Sequence, residues 1–155
     1  MHGQYPPGFL KRALALFPDA VDVLHAPSGT LKSEDLPAGH VTFDKIKDDV
    51  RRPDHEGDCK DLPFPDSSFD FVLSDPPYSK KDSEIYNCPP FPLGKFIKES
   101  RRVLRPGGHL GMLHTYYPSY RKKEWKLVGL IAVVTGFQRA TRMFSILEKL
   151  EVEAA

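Results

Sequence analysis

Four consecutive residues, Asp75-Pro76-Pro77-Tyr78, carry the most specific chemistry in the chain. The Asp75 carboxylate can accept a hydrogen bond from an exocyclic amine. A carbonyl in the Pro76–Pro77 segment can accept a second, because proline lacks an N–H but keeps its C=O. The Tyr78 ring can stack on the face of a planar base. Together these groups would hold an amino group as a nucleophile in front of an electrophile. The same residues also suit a rigid turn with a packed tyrosine, so their flanks must decide.

The preceding residues form the element that would aim them. Phe69, Phe71 and Leu73 alternate with Asp70, Val72 and Ser74, which predicts a strand with one well-buried face. Two prolines end it, since neither can donate to a ladder. The motif therefore leaves the sheet at the carboxyl end of a strand, where open α/β sheets bind ligands.

Upstream, residues 20–24 read as a first strand, followed by His25-Ala26-Pro27-Ser28-Gly29-Thr30. Ser28, Gly29 and Thr30 are small enough for the backbone to approach a ligand closely. An ordinary loop fits these residues equally. Residues 31–37 leave room for a turn or two of helix, although a parallel crossover usually takes about a dozen or more residues. A shortened first crossover is expected. Residues 40–46 read as the second strand. Asp44 near its end stands about 20 residues past the first strand, where an acid can bind ribose hydroxyls. A surface acid beside Lys45 is the other reading. Residues 47–56 are charged and read as a solvated loop or a short surface helix.

The remaining pattern completes an alternating α/β chain. Residues 9–17 have helical apolar spacing and are stopped by Pro18; residues 1–8 read as an extended arm. Residues 92–104 predict a helix with Phe96, Ile97, Ser100, Val103 and Leu104 on one face. Arg105-Pro106-Gly107-Gly108 ends it, and residues 109–115 form the next strand. Residues 127–135 and 141–147 read as two strands with a tight connection, followed by a short polar tail. Residues 116–126 mix Tyr116, Tyr117 and Tyr120 with Arg121, Lys122 and Lys123, which suits either a polyanion with bases or an amphipathic helix. Lys80 and Lys81 follow the Asp-Pro-Pro-Tyr turn in a long loop, where they could touch phosphates or simply be solvated.

Several of these segments resemble the class I S-adenosylmethionine-dependent methyltransferases. Asp75-Pro76-Pro77-Tyr78 is similar to the catalytic loop of the members that methylate adenine N6 or cytosine N4. Gly57-Asp58-Cys59, Leu62-Pro63-Phe64 and Phe69-Asp70 resemble a second stretch of that class. Val103-Leu104-Arg105-Pro106-Gly107-Gly108-His109-Leu110 resembles its join between the fourth helix and fifth strand. Gly29 and Thr30 match the first cofactor loop, while His25, Ala26, Pro27 and Leu31 depart from it. The resemblance implies a Rossmann-like, doubly wound, mostly parallel α/β sheet with an antiparallel strand near the C-terminus. It implies S-adenosylmethionine as cofactor, with Ala26, Pro27, Ser28 and Gly29 at its methionine end and Asp44 at the ribose. Asp58 would take the adenine amine and Cys59 would offer a backbone N–H to the ring. By residue type alone, Asp58 also suits a turn former and Cys59 a small buried residue. Asp75, Pro76, Pro77 and Tyr78 would be catalytic, with Lys80, Lys81 and Tyr116 on the substrate.

Composition narrows the setting. The chain has 155 residues, about one domain, and its 40% hydrophobic content is enough for a core. A net charge of +1 means that any nucleic-acid partner must meet a local patch. No run approaches the roughly 18 apolar residues of a membrane span. The N-terminus lacks the charged start and apolar stretch of a signal peptide. Cys59 and Cys88 form no paired motif, and the histidines show no ligand spacing, so a cytoplasmic protein without disulfides or metal is expected. The expected activity is methyl transfer to a nucleobase amine in DNA or RNA, with self-association or a partner chain supplying target recognition. Two alternatives stay open: transfer to a protein amide or small molecule, and a non-catalytic binding protein of the same fold.

Overall fold

A computed structural model describes residues 5–77, 84, 90–137 and 140–151 of the chain. Its elements in order are α1 (Phe9–Ala15), β1 (Val23–His25), a 3-10 turn (Ser33–Asp35), β2 (His40–Asp44), β3 (His55–Glu56), β4 (Phe69–Ser74), α2 (Leu93–Val103), β5 (Leu104–His114), β6 (Trp125–Val133) and β7 (Arg142–Lys149). The strands make one sheet in the order β3-β2-β1-β4-β5-β7-β6. Pairings among the first five strands are parallel. β7 runs antiparallel to both β5 and β6, so β6 points the same way as β5.

Alternation along the strands builds a core on each face. On one side, Phe9 and Ala13 of α1 cover Val23, Phe71, Leu73, Leu113, Phe144 and Ile146. On the other, Phe96, Ile97 and Val103 of α2 cover Leu24, Val72, Leu110, Met112 and Leu147. α2 turns its apolar stripe inward and keeps Lys95, Lys98 and Arg101 off the core, as its spacing requires.

The first crossover is short, as expected: residues 26–39 contain one 3-10 turn and no α-helix. Residues 45–54 and 57–68 are likewise without helix. The α1 side of β1 and β2 is correspondingly polar, with His25, His40 and Thr42 where a covering helix would demand apolar residues.

Several boundaries differ from the sequence reading. β1 begins at Val23 and includes His25, because strand pairing with β2 and β4 starts only there. The charged run contains β3, held by Phe43 and Asp44 rather than by its own composition. Arg105-Pro106-Gly107-Gly108 lies within β5, whose register shifts between Phe69 and Phe71; Gly107 takes φ +74° to allow it. β7 continues to Lys149, into residues expected to be tail. Among the described residues, no helix is long and apolar enough to cross a membrane.

Candidate active site

The parallel strands present their carboxyl ends along one edge, with the switch in winding between β1 and β4. The loop after β1 is fastened down over its neighbours. Ala26 N–H donates to Leu73 O at 3.1 Å, and Ser28 N–H to Phe43 O at 2.9 Å. Gly29, at φ +58°, donates its N–H to Asp44 Oδ2 at 2.8 Å. Asp44 is buried at the end of β2 and also accepts the Ile46 N–H at 3.1 Å. Burial raises its carboxyl above the usual range despite these backbone donors. Ser28 Oγ is buried and makes no hydrogen bond among the described residues.

Beyond β3, Asp58 and Cys59 reach the same corner. Burial pushes the Cys59 thiol well up, and the Asp44 and Asp58 carboxylates push it further. Burial opposes Asp58 ionisation, but the Lys60 backbone N–H and the Lys45 and Lys60 ammoniums outweigh it and lower its pKa. Those ammoniums stand 3.3 and 3.4 Å from Asp58 Oδ2. Asp58 therefore faces a lysine-lined rim, and Cys59 contributes its backbone and bulk rather than a thiolate.

Asp75 follows β4 directly. By strand alternation its side chain falls on the α1 side, and it is only 15% exposed. Arg142 Nη1, from the first residue of β7, lies 3.6 Å from Asp75 Oδ2. Because β7 is antiparallel, its start lies at the carboxyl edge of the parallel strands. Tyr5 closes the same corner: its hydroxyl donates to Leu73 O at 3.3 Å and lies 3.5 Å from His25 Nδ1. Burial, then the Asp75 charge, raises its phenol well above the ordinary value. Pro76 is buried and Pro77 half-buried. Tyr78, Lys80 and Lys81 lie outside the described residues.

At the end of β5, His114 is buried and accepts the Thr115 N–H at Nδ1, 3.0 Å away. Tyr116 stands with its ring 3.9 Å from that imidazole and half its surface exposed. Tyr117 is also exposed and donates to the Tyr120 hydroxyl at 2.9 Å, beside exposed Arg121, Lys122 and Lys123. A groove of about 550 Å³ opens where the N-terminal arm and α1 meet the first crossover, lined by Tyr5, Leu10, Leu14, Leu31 and Leu36 with Lys11 and Lys32.

The edge thus gathers Ala26, Pro27, Ser28, Gly29, Asp44, Asp58 and Cys59 at the ends of β1 to β3, and Asp75, Pro76, Pro77 and Tyr116 at the ends of β4 and β5. Sequence reasoning missed Arg142 and Tyr5. An antiparallel last strand that opens with arginine was a usable signal for the first; nothing marked the second.

No family model matches the chain. Among solved structures, TrmN from Thermus thermophilus superimposes with a TM-score of 0.62 at 20% identity, over 96% of this chain and 50% of that one. A Listeria monocytogenes protein described as a class I S-adenosylmethionine-dependent methyltransferase gives 0.56 at 21% identity, over 87% and 55%. This chain has the class I methyltransferase fold. A third such structure, 1,6-didemethyltoxoflavin-N1-methyltransferase of Burkholderia thailandensis, was solved with its substrate and S-adenosylhomocysteine bound; it gives 0.59 at 12% identity, over 85% and 72%. In sequence, the chain is 43% identical over 72 residues to the fatty-acid O-methyltransferase of Mycolicibacterium smegmatis, covering 46% of this chain. That match spans 22% of the relative, under a quarter of its length.

Proposed function

We propose that this class I methyltransferase domain transfers a methyl group from S-adenosylmethionine to an exocyclic amine of a nucleobase in DNA or RNA, adenine N6 before cytosine N4. The observation that carries the reading is Asp75-Pro76-Pro77 at the carboxyl mouth of β4, next to the switch between β1 and β4, with the Asp75 carboxylate beside a guanidinium.

The cofactor's place is the β1–β2–β3 corner. The residues there fit such a ligand: Ser28 Oγ is a buried hydroxyl without a partner among the described residues, and Asp44 keeps acceptor capacity for ribose hydroxyls. Ala26, Pro27, Ser28 and Gly29 would line its methionine end, and Asp58 and the Cys59 backbone its adenine. When bound, S-adenosylmethionine supplies a methyl group made electrophilic by its sulfonium.

What the chain adds is alignment. Asp75 accepts one N–H of the acceptor amine, and a peptide oxygen of Pro76–Pro77 accepts the other. The nitrogen lone pair is thereby drawn out of conjugation and aimed along one line. Such alignment supplies several kcal/mol of barrier lowering. Arg142 orients the carboxylate. Tyr78 stacks the base, Lys80 and Lys81 meet phosphates, and exposed Tyr116 with the Arg121–Lys123 run supports the neighbouring nucleotides.

A second reading, a small apolar acceptor, draws on two observations: the local identity to a fatty-acid methyltransferase and the leucine-lined groove beside the first cofactor loop. One experiment tests both. Methyl-labelled S-adenosylmethionine is supplied with pooled DNA, RNA, protein or lipid extract, using wild type and Asp75→Ala. Label on nucleic acid that vanishes in the variant, while calorimetric binding of S-adenosylhomocysteine persists, is the expected result. Label found only on lipid selects the second reading. Transfer to nucleic acid undiminished in Asp75→Ala sinks the mechanism.

A further inference from the structure

β6 is the last strand of the sheet, and no described strand pairs with its outer edge. Such an edge offers a row of unmade N–H and C=O bonds, and chains that stay single blunt it with charge, proline or a covering segment. Along β6, Lys126 is the one charge. The run Leu127-Val128-Gly129-Leu130-Ile131-Ala132-Val133-Val134 after it has neither charge nor proline. Apolar residues point both ways from the strand: Ile131 lies beside Phe144 on the α1 side, Leu130 beside Ser145 on the other. Val128, Leu130 and Ile131 are 43, 46 and 41% exposed, and Val134 and Phe137 in the following turn are 68 and 96% exposed.

We infer that β6 is a self-association edge, through which two copies of this chain pair antiparallel about a two-fold axis into one continuous sheet. The occupant is a second copy because the strand is complementary to itself. In any antiparallel register centred from Gly129 to Ile131, Lys126 faces Ala132, Val134 or Gly136 of the other copy. No like charges meet, and in each of these registers Val128 faces Leu130, Ala132 or Val134 of the other copy and Leu130 faces Val128, Leu130 or Ala132, so the exposed centre of the strand meets aliphatic side chains. The two-fold closes the assembly, so pairing stops at two. β6 points the same way as β1 to β5, so the antiparallel pair turns the two carboxyl edges in opposite directions and leaves both candidate sites open. Nine residues at a rise of about 3.4 Å give a contact about 30 Å long. That strip is narrower than a standard interface, so the pair is reversible.

Sedimentation equilibrium from about 1 to about 200 µM tests this. The weight-average mass should climb from 17.5 kDa toward twice that value. Leu130→Lys combined with Ile131→Lys should hold it at 17.5 kDa, with the near-ultraviolet dichroism of the folded chain unchanged. Hydrogen exchange on the wild type needs no variant: amides of β6 should slow at the high concentration while those of β1 do not change. A mass that stays at 17.5 kDa throughout, self-association that survives the double substitution, or β6 exchange indifferent to concentration overturns the assignment.

Discussion

Asp75 and Arg142 make the finest-grained argument. An aspartate at a strand's mouth accepts best when it is correctly turned and its charge is balanced. A guanidinium 3.6 Å away on β7 serves both needs. Arg142→Gln removes that charge and leaves Asp75 in place. We expect methyl transfer to slow by at least about tenfold with little change in affinity for S-adenosylhomocysteine, a loss in kcat with KM for the cofactor preserved. Arg142→Lys should recover part of the rate, since one nitrogen at this distance acts mainly through charge. If steady-state kinetics show Arg142→Gln equal to wild type, the pair is only a surface contact. Asp58 argues the opposite way: two ammoniums already compete for it, so Asp58→Asn should weaken cofactor binding less than Asp44→Asn in the same titration.

The elements that carry these residues are held by a few polar locks. Arg102 on α2 donates to Leu62 O at 2.8 Å and Phe64 O at 2.7 Å, and pairs with both Glu99 oxygens and with Asp66. Glu99 in turn accepts the Leu62 N–H at 2.9 Å. The Leu62-Pro63-Phe64 run, which leads from Cys59 into β4, is thus tied to the helix beneath it. Arg102→Ala leaves two partly buried carbonyls and the Glu99 carboxylate without this donor and should cost about 1–3 kcal/mol, read as a lower urea midpoint. Gly111 of β5 is as constrained: an added Cβ would stand 2.8 Å from the Phe144 ring and 2.9 Å from Phe71, so Gly111→Ala should cost about 1–3 kcal/mol. Much of this scale was legible from pattern alone. The stripe Phe96-Ile97-Ser100-Val103 announces α2, and the alternation from Phe69 announces β4, because each reports the face it must bury. β3 was not legible, since His55 and Glu56 are charged or polar and pair only because Phe43 and Asp44 are already in place. The acids at the ends of β2 and β4 could be placed by strand logic. Arg142 was signalled only by its place at the start of the antiparallel return of β7, and Tyr5 was not signalled at all, since the packing of the arm over β1 is what brings it there.

Across the whole molecule, buried histidines couple the fold to acidity. His25 sits between β2 and β4 with its Nε2 3.0 Å from His40 Nδ1 and its ring fully buried. Burial, then the neighbouring His40 charge, lowers its pKa to about 3. Burial also lowers His40, His109 and His114, against a raising contribution from Glu148 in the case of His109. Tyr5, whose hydroxyl lies 3.5 Å from His25 Nδ1, is a neutral phenol and adds no charge that would favour the imidazolium. Each of the four imidazoles is therefore harder to protonate in the folded chain than in the unfolded one, which takes up protons near pH 6.5. Below that pH the unfolded state binds more protons, so stability falls as pH drops, by up to about 1.4 kcal/mol per pH unit for each fully shifted group. The depressed carboxyls of Asp54, Asp58, Asp70 and Glu99 add their loss only further down, as pH passes below their unfolded range near about 4. Asp44 works against this, because its raised carboxyl is eased by protonation. Urea unfolding at about pH 7.5, 6 and 5 should thus show stability already falling through the histidine window, before the carboxylates titrate. His25→Gln should flatten that slope by up to about 1.4 kcal/mol per unit, whatever its effect at neutral pH. A variant whose stability falls as steeply as wild type between those pH values would mean that His25 is not held neutral, and that the polar α1 side of β1 and β2 admits water.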